Sequence, residues 1–333
     1  MNARDAGRRL LVGLVSVALL AGCGAGASPT PATFGPVTLV TGTHQCPGGT
    51  WDWTTDPDGT LHLRDLAIEC TDTTNDPRVS GTHIASANMD VWGTLDNGAG
   101  VQWASVRLEN DGGAWEGRQL GVASLPGLGD TMEFWYTGTG GYEGLSYFAL
   151  VTGSEPWKIR GQIFPRDPPP PYAEGGTTIT RSEAGGPVAE DAVAVVTGSA
   201  TCPGMPTSFD WTTDPDGTKH LRNDYHADRC TVTTDDPRAS GSRTSTWNAD
   251  VWGDMRQSRF GIFQWGTARL ENDAGAWEGT FSGVASNPVR GDFIVNWYQG
   301  TGAYEGLGYF ELWTGYEPWK IQGQIFPGDP PTP

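Results

Sequence analysis

Six carboxylates recur at matched positions in the two halves of this chain: Asp90 and Asp250, Glu109 and Glu271, Asp111 and Asp273, Glu116 and Glu278, Glu143 and Glu305, Glu155 and Glu317. Paired carboxylates are the equipment of glycoside hydrolysis, which needs two of them opposed at a set separation. Glu143 falls in a glycine-rich turn and Glu155 precedes a proline, so both read as solvated. Glu109 stands two residues from Arg107 on one strand face, where a surface ion pair accounts for it. The segments Thr-Thr-Asp-Pro-Asp-Gly-Thr at 54–60 and 212–218 offer Asp56, Asp58, Asp214 and Asp216 as hard oxygen ligands. Calcium takes about six to eight such ligands, and a proline-nucleated turn explains the same residues. His62 and His220, each followed by Leu-Arg, are the one matched histidine pair, without partners at zinc-ligand spacing. Gly-X-Ser-X-Gly is absent. The chain therefore reads as having no metal, no cofactor and no assembled catalytic set, which points away from an enzyme.

Tryptophan carries more weight. There are 15, and six pairs correspond: 53/211, 92/252, 103/265, 115/277, 135/297 and 157/319. Tryptophan brings a large apolar area to a core, and the same ring lines ligand pockets and stacks on sugar faces. In Gln102–Glu109 the small and aliphatic residues Ala104, Val106 and Leu108 alternate with Trp103, Ser105, Arg107 and Glu109. The second copy sets Trp265, Thr267, Arg269 and Glu271 against Gly266, Ala268 and Leu270. Successive side chains of a strand point to opposite faces, so the aliphatic set faces a core. Trp103, Arg107, Glu109, Trp265, Arg269 and Glu271 share the other face and form the candidate ligand-binding set.

The elements that must position these residues are strands, duplicated. Residues 102–165 reappear at 264–327 without a gap, and upstream the offset of 162 falls to 160, 158 and 156 at Asp90/Asp250, Trp53/Trp211 and Cys46/Cys202. Insertions are tolerated in surface connections, so each step marks a loop. The period is far longer than a solenoid repeat, and each copy reads as a whole domain. In the first copy, strands are expected near 37–45, 60–68, 83–92, 101–109, 114–123, 131–137, 144–152 and 157–164. Turn chemistry separates them at Asp56-Pro-Asp-Gly59, Asn97-Gly98, Asn110-Asp-Gly-Gly113 and Gly138-Thr-Gly-Gly141. Eight strands with short connections form an antiparallel meander that can close on itself. The expected fold is all-β: two tandem antiparallel eight-stranded β-barrels, each with one disulfide.

Residues 1–22 carry Arg4, Arg8 and Arg9 ahead of the apolar run Leu10–Leu20 and read as a signal peptide. Leu20-Ala-Gly-Cys23 looks like a bacterial lipobox, which implies cleavage before Cys23 and lipid attachment there. The expected partner is thus a membrane, reached through that anchor, and the expected address is the extracytoplasmic side of the cell envelope. Residues 23–34 read as a flexible tether, 35–166 as the first repeat, 167–191 as a Pro/Gly-rich linker, 192–328 as the second repeat and 329–333 as a Pro-rich tail. The net charge of −18 becomes −20 once the three Arg and one Asp of residues 1–22 are removed. Such a polyanion is repelled by nucleic acid, which excludes that partner. Of five cysteines, Cys23 goes to lipid, leaving Cys46 with Cys70 and Cys202 with Cys230 as one disulfide per repeat.

The Gly-Thr-Gly-X-Tyr-Glu-Gly turns at 138–144 and 300–306 each follow a strand containing Trp-Glu-Gly. That order resembles the late strands of allene oxide cyclase/dirigent-type barrels. The ending Gly-Gln-Ile-Phe-Pro at 161–165 and 323–327 is similar to that of secreted bacterial domains. The resemblance covers about the last 65 residues of each repeat and implies an eight-stranded barrel with a central cavity. The functional expectation is a lipid-anchored, non-catalytic binding module for a glycan or a small apolar ligand. The alternatives are a cyclase/dirigent-like enzyme that steers a reactive intermediate in the cavity, and a purely structural envelope lipoprotein.

Overall fold

In the computed structural model, residues 37–48, 51–93, 99–125, 129–165, 193–203, 210–253, 261–286, 291–328 and 330 are described. The lipobox with Cys23, the tether, the linker and most of the tail lie outside these residues. The first repeat comprises β1 (Thr38–Gln45), β2 (Thr54–Thr55), β3 (Leu61–Thr74), β4 (Gly81–Trp92), β5 (Ala99–Asn110), β6 (Gly113–Leu125), β7 (Gly129–Gly140), β8 (Leu145–Gly153) and β9 (Trp157–Pro165). The second comprises β10 (Ala194–Thr201), β11 (Thr212–Thr213), β12 (Lys219–Thr234), β13 (Gly241–Trp252), β14 (Gly261–Glu271), β15 (Gly275–Ser286), β16 (Asp292–Gly302), β17 (Leu307–Gly315) and β18 (Trp319–Pro327). Every strand expected from the sequence is present; the two-residue β2, too short to carry a periodic signal, is additional.

In the first repeat each strand from β2 to β8 pairs antiparallel with the next, and β1 pairs with both β9 and β3. Eight strands thereby form a closed antiparallel barrel without free edges. Gly42 lies where the two pairings of β1 overlap, and a Cβ there would sit 2.2 Å from the carbonyl oxygen of Thr73. The closing strands approach too closely for any side chain. The second repeat is a nine-stranded sheet of the same order, with β10 also paired to β12 over Gly198–Thr201. Both expected disulfides form, Cys46–Cys70 and Cys202–Cys230, closing 24- and 28-residue separations.

The alternation read from β5 holds: Ala104, Val106 and Leu108 are buried inside the barrel with Trp115, Tyr136, Tyr147 and Ile163. A 3₁₀ turn, Pro77–Val79, is capped by the Asp76 carboxylate and inserts Val79 into this core. The indole of Trp115 donates to the carbonyl of Arg78 at 2.7 Å, and Trp277 does the same to Arg238 in the second repeat.

The late strands do not alternate. β8 is buried at every position from Leu145 to Val151. Its inward residues Tyr147, Ala149 and Val151 join the barrel core, while Phe148 and Leu150 pack against the other repeat. Two clusters span the repeats. One joins Val101, Leu120, Val122 and Leu150 to Val295, Trp297, Phe310 and Phe326; the other joins Trp135, Phe148 and Phe164 to Trp252, Phe263 and Val284. Trp92 stacks on Phe326 at 5.9 Å between ring centroids, and the matched pair Phe164 and Trp252 stacks at 5.2 Å. Reciprocal contacts of this kind are the signature of a two-fold, isologous interface, here made within one chain. Glu133 breaks the symmetry. Its position corresponds to Val295, and its carboxylate accepts from Trp297 Nε1 at 3.0 Å and from Ser282 Oγ at 3.3 Å.

Candidate functional site

The outer wall of the first repeat gathers Asp56, His62, Arg64, Asp90 and Trp103 from four consecutive segments. The turn between β2 and β3 is closed by Gly59 N–H donating to Asp56 O and by Thr60 N–H donating to Asp58 Oδ1, both at 2.9 Å. The hydrogen bonds from Thr60 hold the Asp58 carboxyl below its ordinary range. His62 lies opposite Asp90 in the β3–β4 register. Its Nδ1 is 2.6 Å from Asp90 Oδ1 and its Nε2 is 3.0 Å from Asp56 Oδ2.

Just beyond His62 the register shifts between Leu63 and Leu66, with Asp65 at φ 50°. The left-handed residue is held by the Asn88 side chain, which accepts from Asp65 N at 3.1 Å. Bulges re-aim side chains and free backbone groups. Arg64 fills that role: Nη1 donates to the carbonyls of Leu63 and Met89, both at 2.9 Å, and Nη2 lies 2.5 Å from Asp90 Oδ1. Its guanidinium covers the Trp103 ring at 5.0 Å from the centroid, a cation–π contact.

The second repeat reproduces the cluster. His220 Nδ1 is 2.5 Å from Asp250 Oδ1 and Nε2 is 3.1 Å from Asp214 Oδ2. Arg222 Nη2 is 2.5 Å from Asp250 and its guanidinium lies 4.9 Å from the Trp265 centroid. Asn223 takes φ 50° and is held by Asn248 at 2.9 Å. The outward ends stay open, with the Asp56 and Arg64 side chains 60% and 40% exposed. Among the described residues, the polar side-chain contacts of His62 and His220 are with carboxylates and arginine, none with a hydroxyl or thiol. The arrangement presents carboxylate acceptors beside a guanidinium donor.

The set expected from the sequence divides. Trp103 and Trp265 are half-buried, each packed against an inter-repeat cluster on one side and covered by arginine on the other, so neither is an open stacking platform. Arg107 and Glu109 lie farther along β5, and four residues of strand span about 13 Å. Arg107 Nε donates to Glu109 Oε2 at 3.0 Å and Nη1 pairs with Glu116. Arg269 bonds Glu271 at 3.1 Å and pairs with Glu278. Both are exposed ion triads. Glu143, Glu155, Glu305 and Glu317 are exposed.

Two polar clusters inside the repeats escaped the sequence reading, because matching one copy against the other hides residues that differ. In the first barrel, His44 Nδ1 lies 2.5 Å from Asp72 Oδ1, His83 Nδ1 3.4 Å from Asp72 Oδ2, and the Tyr136 hydroxyl 3.3 Å from His83 Nδ1. Burial pushes the Asp72 carboxyl up, but hydrogen bonds from the two histidines outweigh it and hold it below its ordinary range. Burial pushes His83 down. In the second repeat these positions are Ala200, Val232 and Arg243. Arg243 Nε donates to Tyr298 at 3.2 Å and Nη2 to Asn296 at 3.1 Å, while the guanidinium lies over Trp313. Glu311, fully buried nearby, has no hydrogen-bond partner on either oxygen, and burial raises its carboxyl to about 7. Strand parity is the signal that could have found them: His44 shares the inward face of Val40, and His83 that of Ala85.

No family model, curated protein or solved structure matches the chain. Among the described residues no helix is long and apolar enough to cross a membrane.

Proposed function

We propose that the chain is an extracytoplasmic binding protein, held to a membrane by lipid at Cys23, whose two repeats each present one site for a hydroxyl-rich ligand such as a glycan. The observation that carries this reading is the retention of the outer-wall cluster. Its polar distances agree within 0.1 Å between copies, although interior positions have been rewritten, among them His44/Ala200, Asp72/Val232, His83/Arg243 and Ala149/Glu311. At the exposed ends, Asp56 and Asp214, ion pairs contribute about 0–1 kcal/mol, so stability is a weak reason to keep those carboxylates twice. Carboxylates beside a guanidinium suit adjacent hydroxyls, which need acceptor and donor together. The covered faces of Trp103 and Trp265 argue against a small apolar ligand at this place. In this reading the second repeat is also a barrel, supported by the β10–β12 pairing. The docked interface then holds the two sites at a fixed spacing, which suits a repetitive ligand.

A cyclase/dirigent-type enzyme calls for the same buried carboxylate in both copies. Asp72 corresponds to Val232 and Glu311 to Ala149, which favours binding. The test is an oligosaccharide panel applied to the mature chain, followed by calorimetric titration of each hit. Arg64→Lys or Arg222→Lys alone should halve the stoichiometry, and the double variant should abolish binding while melting normally. No glycan bound, a lipophilic dye bound instead, or full binding by a folded double variant would each refute the reading.

A further inference from the structure

We infer that the interior of the first barrel holds one divalent transition-metal ion of the zinc class, bound by His44, Asp72 and His83. The three side chains are 4%, 5% and 1% exposed, and their ligand atoms lie within 4.8 Å of one another. They come from β1, β3 and β4, neighbouring strands at the end of the barrel joined by the Cys46–Cys70 disulfide. His44 Nε2 faces Cys46 Sγ at 3.2 Å, which turns Nδ1 inward toward Asp72. The imidazole planes meet edge to face, with centroids 4.8 Å apart, leaving both Nδ1 atoms directed at one carboxylate.

One of the two histidine–carboxylate spacings already fits a shared ion. Zinc bonds to nitrogen and oxygen are about 2.0–2.2 Å, so tetrahedral ligand atoms stand roughly 3.3–3.5 Å apart. His83 Nδ1 is 3.4 Å from Asp72 Oδ2, long for a hydrogen bond yet suited to two ligands of one ion. The His44–Asp72 contact at 2.5 Å is the one that must lengthen, by about 0.8 Å on the same geometry. Two imidazoles and a carboxylate select zinc, cobalt, nickel or copper over calcium and magnesium, which take oxygen. Coordination displaces any proton on the two Nδ1 atoms, so loading releases protons to solvent.

The second repeat supplies an internal control. Ala200, Val232 and Arg243 replace all three ligands together, and Arg243 carries a fixed positive charge into the space that His83 occupies in the first copy. A covalent cation there leaves an ion no place. The expected stoichiometry is one per chain.

The mature chain, stripped with EDTA and exchanged into zinc or cobalt, is desalted and its metal measured by mass spectrometry. One equivalent per chain is expected, with intense visible absorption for cobalt in a low-coordinate nitrogen/oxygen site. Asp72→Asn and His83→Gln should weaken zinc by more than the roughly 10–100-fold that loss of a supporting contact costs. No retained metal, or an equivalent kept by Asp72→Asn and lost with His62→Gln, would overturn the assignment. If the interior variants fail to fold, the wild-type cobalt spectrum decides: intense bands support the site and the faint spectrum of the aqua ion overturns it.

Discussion

Replacing Glu311 with glutamine should stabilise the second repeat, and only above acidic pH. Both carboxylate oxygens are buried without a hydrogen-bond partner, and burial raises the carboxyl from its ordinary 4.5 to about 7. Trp313, Arg243 and Tyr298 partly offset that burial, and Tyr309 faces the same space. A displacement of about 2.5 pH units at about 1.4 kcal/mol each gives roughly 3 kcal/mol. The folded chain holds its proton more tightly than the unfolded one, so it binds more protons between pH 4.5 and 7. Stability therefore falls as pH rises through that window, is free of the penalty below 4.5, and bears all of it above 7. Glu311→Gln mimics the protonated form. Its urea midpoint should match the parent near pH 4 and exceed it at pH 8, by up to about 3 kcal/mol. Intrinsic tryptophan fluorescence follows the transition, and far-UV circular dichroism checks that it is a single one. A parent slope between pH 4.5 and 7 that survives in the variant, or a variant less stable than the parent at pH 8, would defeat the reasoning.

Other outcomes follow from the packing. Trp252→Ala removes the ring stacked on Phe164 across the repeats; it should cost about 3–5 kcal/mol and split one thermal transition into two by calorimetry. Cys202→Ser with Cys230→Ser opens the 28-residue separation, and loop entropy predicts a loss of about 3.5 kcal/mol, measurable by denaturant titration. Gly117→Ala places a Cβ 1.7 Å from the Trp135 carbonyl oxygen; overpacking against backbone should cost about 3 kcal/mol or more. Gly48→Ala, with nothing within 4 Å, should melt like the parent.

The docking of the repeats was partly legible. Leu145-Ser-Tyr-Phe-Ala-Leu-Val151 and Phe293-Ile-Val-Asn-Trp-Tyr298 are nearly continuous apolar runs, the pattern of strands covered on both faces. Half-solvated strands alternate, as β5 does, so the missing alternation signalled a second layer. Its identity did not follow, because no residue pattern says whether the cover is another copy, another chain or a ligand. The outer-wall cluster was legible in parts. Asp56, His62, Asp90 and Trp103 each stood out by recurrence, but the links run across strands 28 and 13 residues apart in sequence, and the bulge at Asp65 that brings Arg64 over Trp103 leaves no local mark.

The sequence by itself determined the duplication, the strands, their inward and outward faces and the cysteine partners, because each rests on period, turn residues or counting within a short stretch. Only tertiary structure decided that Trp103 and Trp265 are covered, that Glu133 is buried between repeats, and that His44, Asp72 and His83 meet. Those facts depend on which strands lie side by side and how far each is shifted. Register across a sheet is set by the sum of many weak contacts rather than by any one stretch of residues.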